Sequence, residues 1–125
     1  MGTALWIVQG VLAVAFTGSG SMKLLKSHDV LKADPKMGWA NDFSSGFVKF
    51  IGAAESAAAL GLVLPGLTGI APILTPLAAI GLVGIMLGAA ATHLRRSEIP
   101  MVVPPMVLAA LAAFVAYGRL VVMPV

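Results

Sequence analysis

The chain has 125 residues, 59% of them hydrophobic and 10% charged, with a formal net charge of +3. Soluble domains carry about 25% charged residues, so a water-soluble fold of this size would lack the polar surface to cover itself, and the length suffices for one domain only. The absence of cysteine excludes disulfides, thiolate ligands and cysteine-based redox chemistry, and the small basic excess is gathered in loops, where it speaks of membrane topology and not of nucleic acid.

A membrane-spanning helix needs about 20 mostly apolar residues. The first stretch that qualifies is Thr3–Met22, TALWIVQGVLAVAFTGSGSM. No basic residue precedes Lys23, and the run is longer than the apolar core of a signal peptide, so it is expected to be retained. A polar connection follows, Lys23–Ser45. It carries Leu24, Leu25, Val30, Leu31, Met37 and Trp39 among its charges. It reads either as a segment lying on the membrane interface or as a solvated linker.

The second span is Gly46–Leu64, GFVKFIGAAESAAALGLVL, and Pro65–Gly69 reads as a tight uncharged turn. The third is Ile70–Thr92, followed by the short basic connection His93–Pro100, HLRRSEIP. The fourth runs from about Met101 to Val122, with Pro104 and Pro105 suited to its first turn. None of these runs alternates as barrel strands do, and hydrocarbon leaves helices as the way to satisfy the backbone. The predicted fold is therefore all-α: an integral membrane bundle of four helices, spans about 3–22, 46–64, 70–92 and 101–122, in a single domain. Small-residue pairs, Gly84 with Gly88, Gly52 with Ser56 and Ala109 with Ala113, favour close helix packing.

Lys23, Lys26, Lys32, Lys36, Arg95 and Arg96 fall in the first and third connections, and Lys49 lies just inside the second helix. The positive-inside rule places both connections in the cytoplasm and both termini outside. Trp6 and Tyr117 then fall near the outer boundary, Trp39 and Phe43 near the inner one.

Glu55 is the one acidic residue in the four spans. A carboxylate at mid-membrane costs about 2.5–3.5 kcal/mol on insertion scales. The positions sharing its helix face are Val48, Ile51, Gly52, Ala58, Ala59 and Leu62, small enough for another helix to come close. Glu55 is expected to face the bundle interior, roughly 13 Å from the start of its helix. Lys23 is the expected counter-charge, its stem reaching from the end of the first span, and Ser21, Ser19 and Thr17 are candidate hydrogen-bond donors. Lys49 is about 120° round the helix from Glu55 and is expected to reach the interface instead. The carboxylate reads as a structural tie, with proton or quinone handling and a contact between subunits as alternatives. His93, Arg95 and Arg96 are expected at anionic headgroups, and Arg119 is expected to anchor the last helix at the opposite headgroups or to cap a pocket there. Gln9 reads as a helix–helix hydrogen bond. His28 and His93 lack the companions of a metal or haem site, so neither a metal site nor a catalytic set is expected.

Taken in order, the pieces GSGSMKL (Gly18–Leu24), FIGAAESAAALGLVLP (Phe50–Pro65), LTGIAPILTPLAAIGL (Leu67–Leu82), THLRR (Thr92–Arg96) and LAAFVAYGR (Leu111–Arg119) resemble the DoxX-like membrane proteins over nearly the whole chain. The resemblance implies a small bacterial inner-membrane protein of four helices, with Lys23, Glu55 and Arg119 at matched polar positions. The family takes its name from a subunit of an archaeal thiosulfate:quinone oxidoreductase, and other members are linked to oxidative-stress handling beside soluble redox enzymes. The implied function is an accessory or quinone-associated subunit of a membrane redox system. The alternatives are a non-catalytic scaffold for a larger complex, or a small lipid-binding or transport protein. No cofactor signature is evident, the resemblance leaves quinone as a candidate ligand, and the expected partners are the lipid bilayer, further copies of the chain or a membrane complex, with no nucleic acid.

Overall fold

The computed structural model describes residues 2–122. Every regular element among them is helical. Helix α1 is Gly2–Leu25, the short α2 is His28–Ala33, α3 is Ser45–Thr68, α4 is Leu74–Arg95 and α5 is Val103–Tyr117. A 3-10 segment, Pro35–Asp42, joins α2 to α3, a second, Ile99–Val102, leads into α5, and a π-turn, Gly118–Val122, ends the described chain. Among the described residues four stretches are long and apolar enough to cross a membrane: Gly2–Leu25, Ser45–Thr68, Leu74–Arg95 and Ile99–Val122. The helices pack in chain order, α1 on α3, α3 on α4 and α4 on α5, and α5 closes the bundle against α1. The core is Leu12 and Phe16 from α1, Leu62 from α3, Leu82 and Met86 from α4, and Ala112 and Val115 from α5.

The α1–α3 seam is the closest. A Cβ on Gly20 would lie 2.7 Å from the Gly52 carbonyl oxygen, and one on Gly52 would lie 2.8 Å from Lys23 Cβ. Neither position has room for a side chain, so the two backbones meet through glycine. The expected pair Gly52 and Ser56 does lie in this seam, with Ser56 against Gly20. The expected pair Gly84 and Gly88 behaves differently. Both glycines are exposed, and a Cβ on either would meet nothing within 4 Å. They do not draw another helix in.

Helix α3 continues past the expected turn at Pro65 and ends at Thr68. Proline lacks the N–H that would bond the carbonyl four residues back, here that of Gly61. The Thr75 hydroxyl donates to this carbonyl at 2.8 Å, so the helix loses a donor and keeps a bond. Gly69 then takes the left-handed conformation, φ 74°, and its N–H bonds the Pro65 carbonyl. Helix α4 starts at Leu74, so the first residues of the expected third span form the turn.

The connection between α1 and α3 is folded and is not a plain solvated linker. Ser27 caps α2 by accepting from the Val30 N–H at 3.3 Å, and His28 Nε2 meets the Ala40 carbonyl oxygen at 2.9 Å. Leu31, Met37 and Ala40 bury themselves on Val48 at the foot of α3, with Trp39 and Phe43 packed around them. The connection is thus a folded cover over the end of the bundle that carries the basic loops, called here the basic end. Arg96 ties it to the other connection through Asp42, Nη1 to Oδ1 3.0 Å.

Candidate functional site

On α1 the buried positions are Leu5, Gln9, Leu12, Phe16, Gly20 and Lys23, a three-and-four spacing that makes one inward stripe. The same stripe that carries the core therefore carries Lys23 inward. On α3 the inward stripe is Val48, Gly52, Glu55, Ala59, Leu62 and Pro65. The glycine seam brings the two stripes together at Lys23 and Glu55.

Lys23 Nζ lies 2.6 Å from Glu55 Oε1, with relative exposures of 6% for Lys23 and 0% for Glu55. Ser19, one turn before Lys23, donates to Glu55 Oε2 at 3.2 Å and accepts from Lys23 Nζ. The Lys23 ammonium also stands 5.7 Å from the centre of the Trp39 ring, within cation–π range. Each ion has a counter-ion and further hydrogen bonds, which is what a buried pair needs to repay its desolvation. Ser21 is half-buried and lies about 200° round the helix from both Ser19 and Lys23; the hydroxyl at the pair is that of Ser19.

Lys49 has another task. Its Nζ donates to the carbonyl oxygens of Lys23 at 2.9 Å, Leu24 at 3.0 Å and Lys26 at 2.5 Å. These are acceptors at the end of α1, which no helical N–H reaches, and a cation there also suits the helix dipole. Lys49 holds the end of α1 on the side of the basic loops.

The basic group expected at headgroups divides. Arg95 is exposed. Arg96 bonds Asp42 and reaches Glu98, Nε to Oε1 3.3 Å; the Asp42 hydrogen bond raises its pKa above the ordinary guanidinium value, against a smaller opposing effect of desolvation. His93 is buried, with Nδ1 2.9 Å from Glu98 Oε1. A carboxylate accepts, so this geometry places the imidazole proton on Nδ1.

Arg119 is a correction. It does not project toward headgroups but is buried, at 5% exposure. Its Nε donates to Gln9 Oε1 at 2.7 Å, Gln9 Nε2 donates to the Leu62 carbonyl at 2.5 Å, and the guanidinium lies 5.2 Å from the Trp6 ring centre. This second polar group joins α1, α3 and the end of α5. The signal was present in the spacing: Arg119 continues the inward series Ala109, Ala112 and Ala116.

A cavity of about 670 Å³ opens beside the Lys23–Glu55 pair. Ser19, Lys23 and Glu55 form its polar wall, and Phe16, Met86 and Leu108 its apolar one. Met37, Trp39 and Phe43 of the cover close over it, and His93 lines it toward the basic end. The cover residues were legible as aromatic and apolar, but their place over a cavity depends on a fold-back that no local pattern encodes. Among the described residues no three His, Asp or Glu side chains gather as a metal site would require.

Four apolar helices, an inward ion pair and a covered cavity define a small multi-pass membrane protein with an internal polar site. The family model of the DoxX-like family matches residues 7–115, and the chain belongs to that family. No curated protein and no solved structure gives a significant match.

Proposed function

We propose that this protein is an accessory subunit of a membrane redox or oxidative-stress system that holds a quinone head group in the cavity beside Lys23 and Glu55. The observation that carries the reading is the adjoining of a roughly 670 Å³ cavity and a buried ion pair. Small-molecule sites are mostly apolar cavities of about 300–1,000 Å³ with a few fixed polar groups. A lysine ammonium has three donors. Two of them meet Ser19 and Glu55, and the third is available to a carbonyl oxygen of a ligand. Trp39 and Phe43 supply aromatic faces for a planar ring. Glu55 beside that oxygen is placed to exchange a proton with a reduced head group.

The orientation belongs to the same proposal. The basic loops face the cytoplasm of a bacterial cell, the bundle sits in the inner membrane, and both termini lie outside. The extramembrane mass is small, so the electrons come from a partner enzyme or a membrane complex, and association into a homo-oligomer or heteromer accompanies this role.

Purification in mild detergent, followed by mass spectrometry of the bound small molecules, tests the reading. Quinone is expected with the natural protein and is expected to be lost from Glu55→Gln. Recovery of bulk phospholipid alone would overturn it.

A further inference from the structure

Helices α3 and α4 touch at one end and part at the other. At the turn end Thr75 bonds Gly61, and a Cβ on Gly61 would come within 3.0 Å of Ala78 Cβ. Further along α4 the outward positions Gly81, Gly84 and Gly88 are exposed, and a Cβ on any of them would meet nothing within 4 Å. These three glycines nevertheless line the cavity, as do Phe47 and Phe50 of α3, which are 43% and 68% exposed. The cavity therefore opens sideways between α3 and α4, in the part of the molecule that faces lipid, while Met37, Trp39 and Phe43 cover it toward the basic end.

The opening has a continuation. A second groove of about 370 Å³ follows the α3–α4 seam toward the turn, lined by Ala54, Ala57, Gly61, Leu74 and Leu77. Gly81 and Ile85 line both spaces, so the groove and the cavity meet there. From Gly81 to Leu74 the groove runs about 10 Å along α4. One end of this path is an ion pair and the other is wholly apolar.

We infer that the ligand is a single-tailed lipid-soluble molecule that enters sideways from the bilayer, its polar head against Lys23 and Glu55 and its tail in the α3–α4 groove. The polarity of the path matches that of such a molecule from end to end, and a water-borne head group without a tail would leave the groove unused. This rests on the cavity reading above and adds to it the route and the tail. Gly81 is the junction through which the tail passes, and the absence of its side chain is what keeps the path open.

The test uses quinones with one head group and increasing tail length. Binding is read by quenching of Trp39 in a Trp6→Phe background, in mild detergent. The natural pocket is expected to bind more tightly as the tail grows until the groove of about 10 Å is filled, then no more. Gly81→Leu and Gly84→Leu each place a Cβ that meets no neighbouring atom within 4 Å and raise helix propensity, so the bundle stands; in the Gly81→Leu variant the long-tailed ligand is expected to lose about tenfold or more in affinity relative to the loss of the tail-less head group. Equal affinity for tailed and tail-less ligands in the natural pocket, or undiminished tailed binding in both variants, would overturn the lateral route and leave the cavity reading intact. Failure of the natural pocket to bind any of the series would overturn the cavity reading itself. Light scattering completes the set: if Gly84→Leu abolishes a dimer and ligand binding disappears with it, the groove is an interface between copies and the lateral route is wrong.

Discussion

Thr75 donates its hydroxyl to the Gly61 carbonyl, the acceptor that Pro65 leaves without a helical donor. Where the proline removes a bond from α3, the neighbouring helix supplies one. The prediction is that Thr75→Val leaves a buried acceptor unmet and destabilises the bundle by about 1–3 kcal/mol, while Thr75→Ser keeps most of the stability. Pro65→Ala restores an N–H to Gly61, so Thr75→Val should cost less in that background. Thermal unfolding in detergent of the four variants checks this; an equal loss in both backgrounds would show that the hydroxyl is not compensating for the proline.

Lys23 and Glu55 form a pair that is shielded from water. Removing one partner of a buried pair leaves a bare charge and costs about 3–5 kcal/mol. Lys23→Met and Glu55→Gln are each expected to show a loss of this size, and the double variant much less than their sum. Strict additivity would mean that the two groups do not depend on each other. Added salt should leave the effect unchanged, because a buried pair is poorly screened.

These two features were unequally legible in the sequence. The lengths of the apolar runs are enough for four helices, and the three-and-four spacing brings Lys23 and Glu55 to inward faces. Thr75 could not be foreseen as a donor to Gly61, because its use depends on where α4 turns back beside α3. Gly84 and Gly88 mislead for a related reason. A small-residue motif records that a helix can be approached, but only the splay of α3 and α4 decides whether one comes. A place near a helix end suggests a headgroup anchor or a pocket cap for Arg119, although its spacing from Ala112 and Ala116 already puts it inside.

Lys49 bonds three carbonyls at the end of α1. Lys49→Met keeps the length of the stem and removes the donors and the charge. It should destabilise by about 1–2 kcal/mol and speed amide exchange at the end of α1 and in α2 while leaving the middle of α3 protected. Hydrogen exchange read by mass spectrometry gives the map. Uniform loss of protection along all helices would argue against a local cap.

The Arg96–Asp42 bridge fastens the cover to the second basic loop. Asp42 raises the Arg96 pKa above its ordinary value, so this contribution is fully present below the unfolded guanidinium pKa and disappears only as pH rises through the still higher folded one. Across the neutral range the bridge should not respond to pH. It is exposed, so salt should weaken it. Protease cleavage between Lys26 and Lys32 is the readout: expected to be faster in Arg96→Gln at low salt, with the difference shrinking at high salt. A strong pH dependence near neutrality would point to another group as the fastener.

Gln9 links three helices by accepting from Arg119 and donating to the Leu62 carbonyl. Gln9→Leu takes an acceptor from a buried guanidinium and a donor from a buried carbonyl, and is expected to destabilise by about 1.5–3 kcal/mol. Gln9→Glu separates the two losses: a carboxylate still accepts from Arg119, and more strongly, but cannot donate to Leu62. Gln9→Glu should therefore fall between Gln9→Leu and the natural protein, and adding Arg119→Leu should cost more in the Gln9→Glu background than in the Gln9→Leu one. Thermal unfolding of these variants in detergent measures the coupling. If Arg119→Leu costs the same in every background, Gln9 is not the residue that holds the guanidinium inside the bundle.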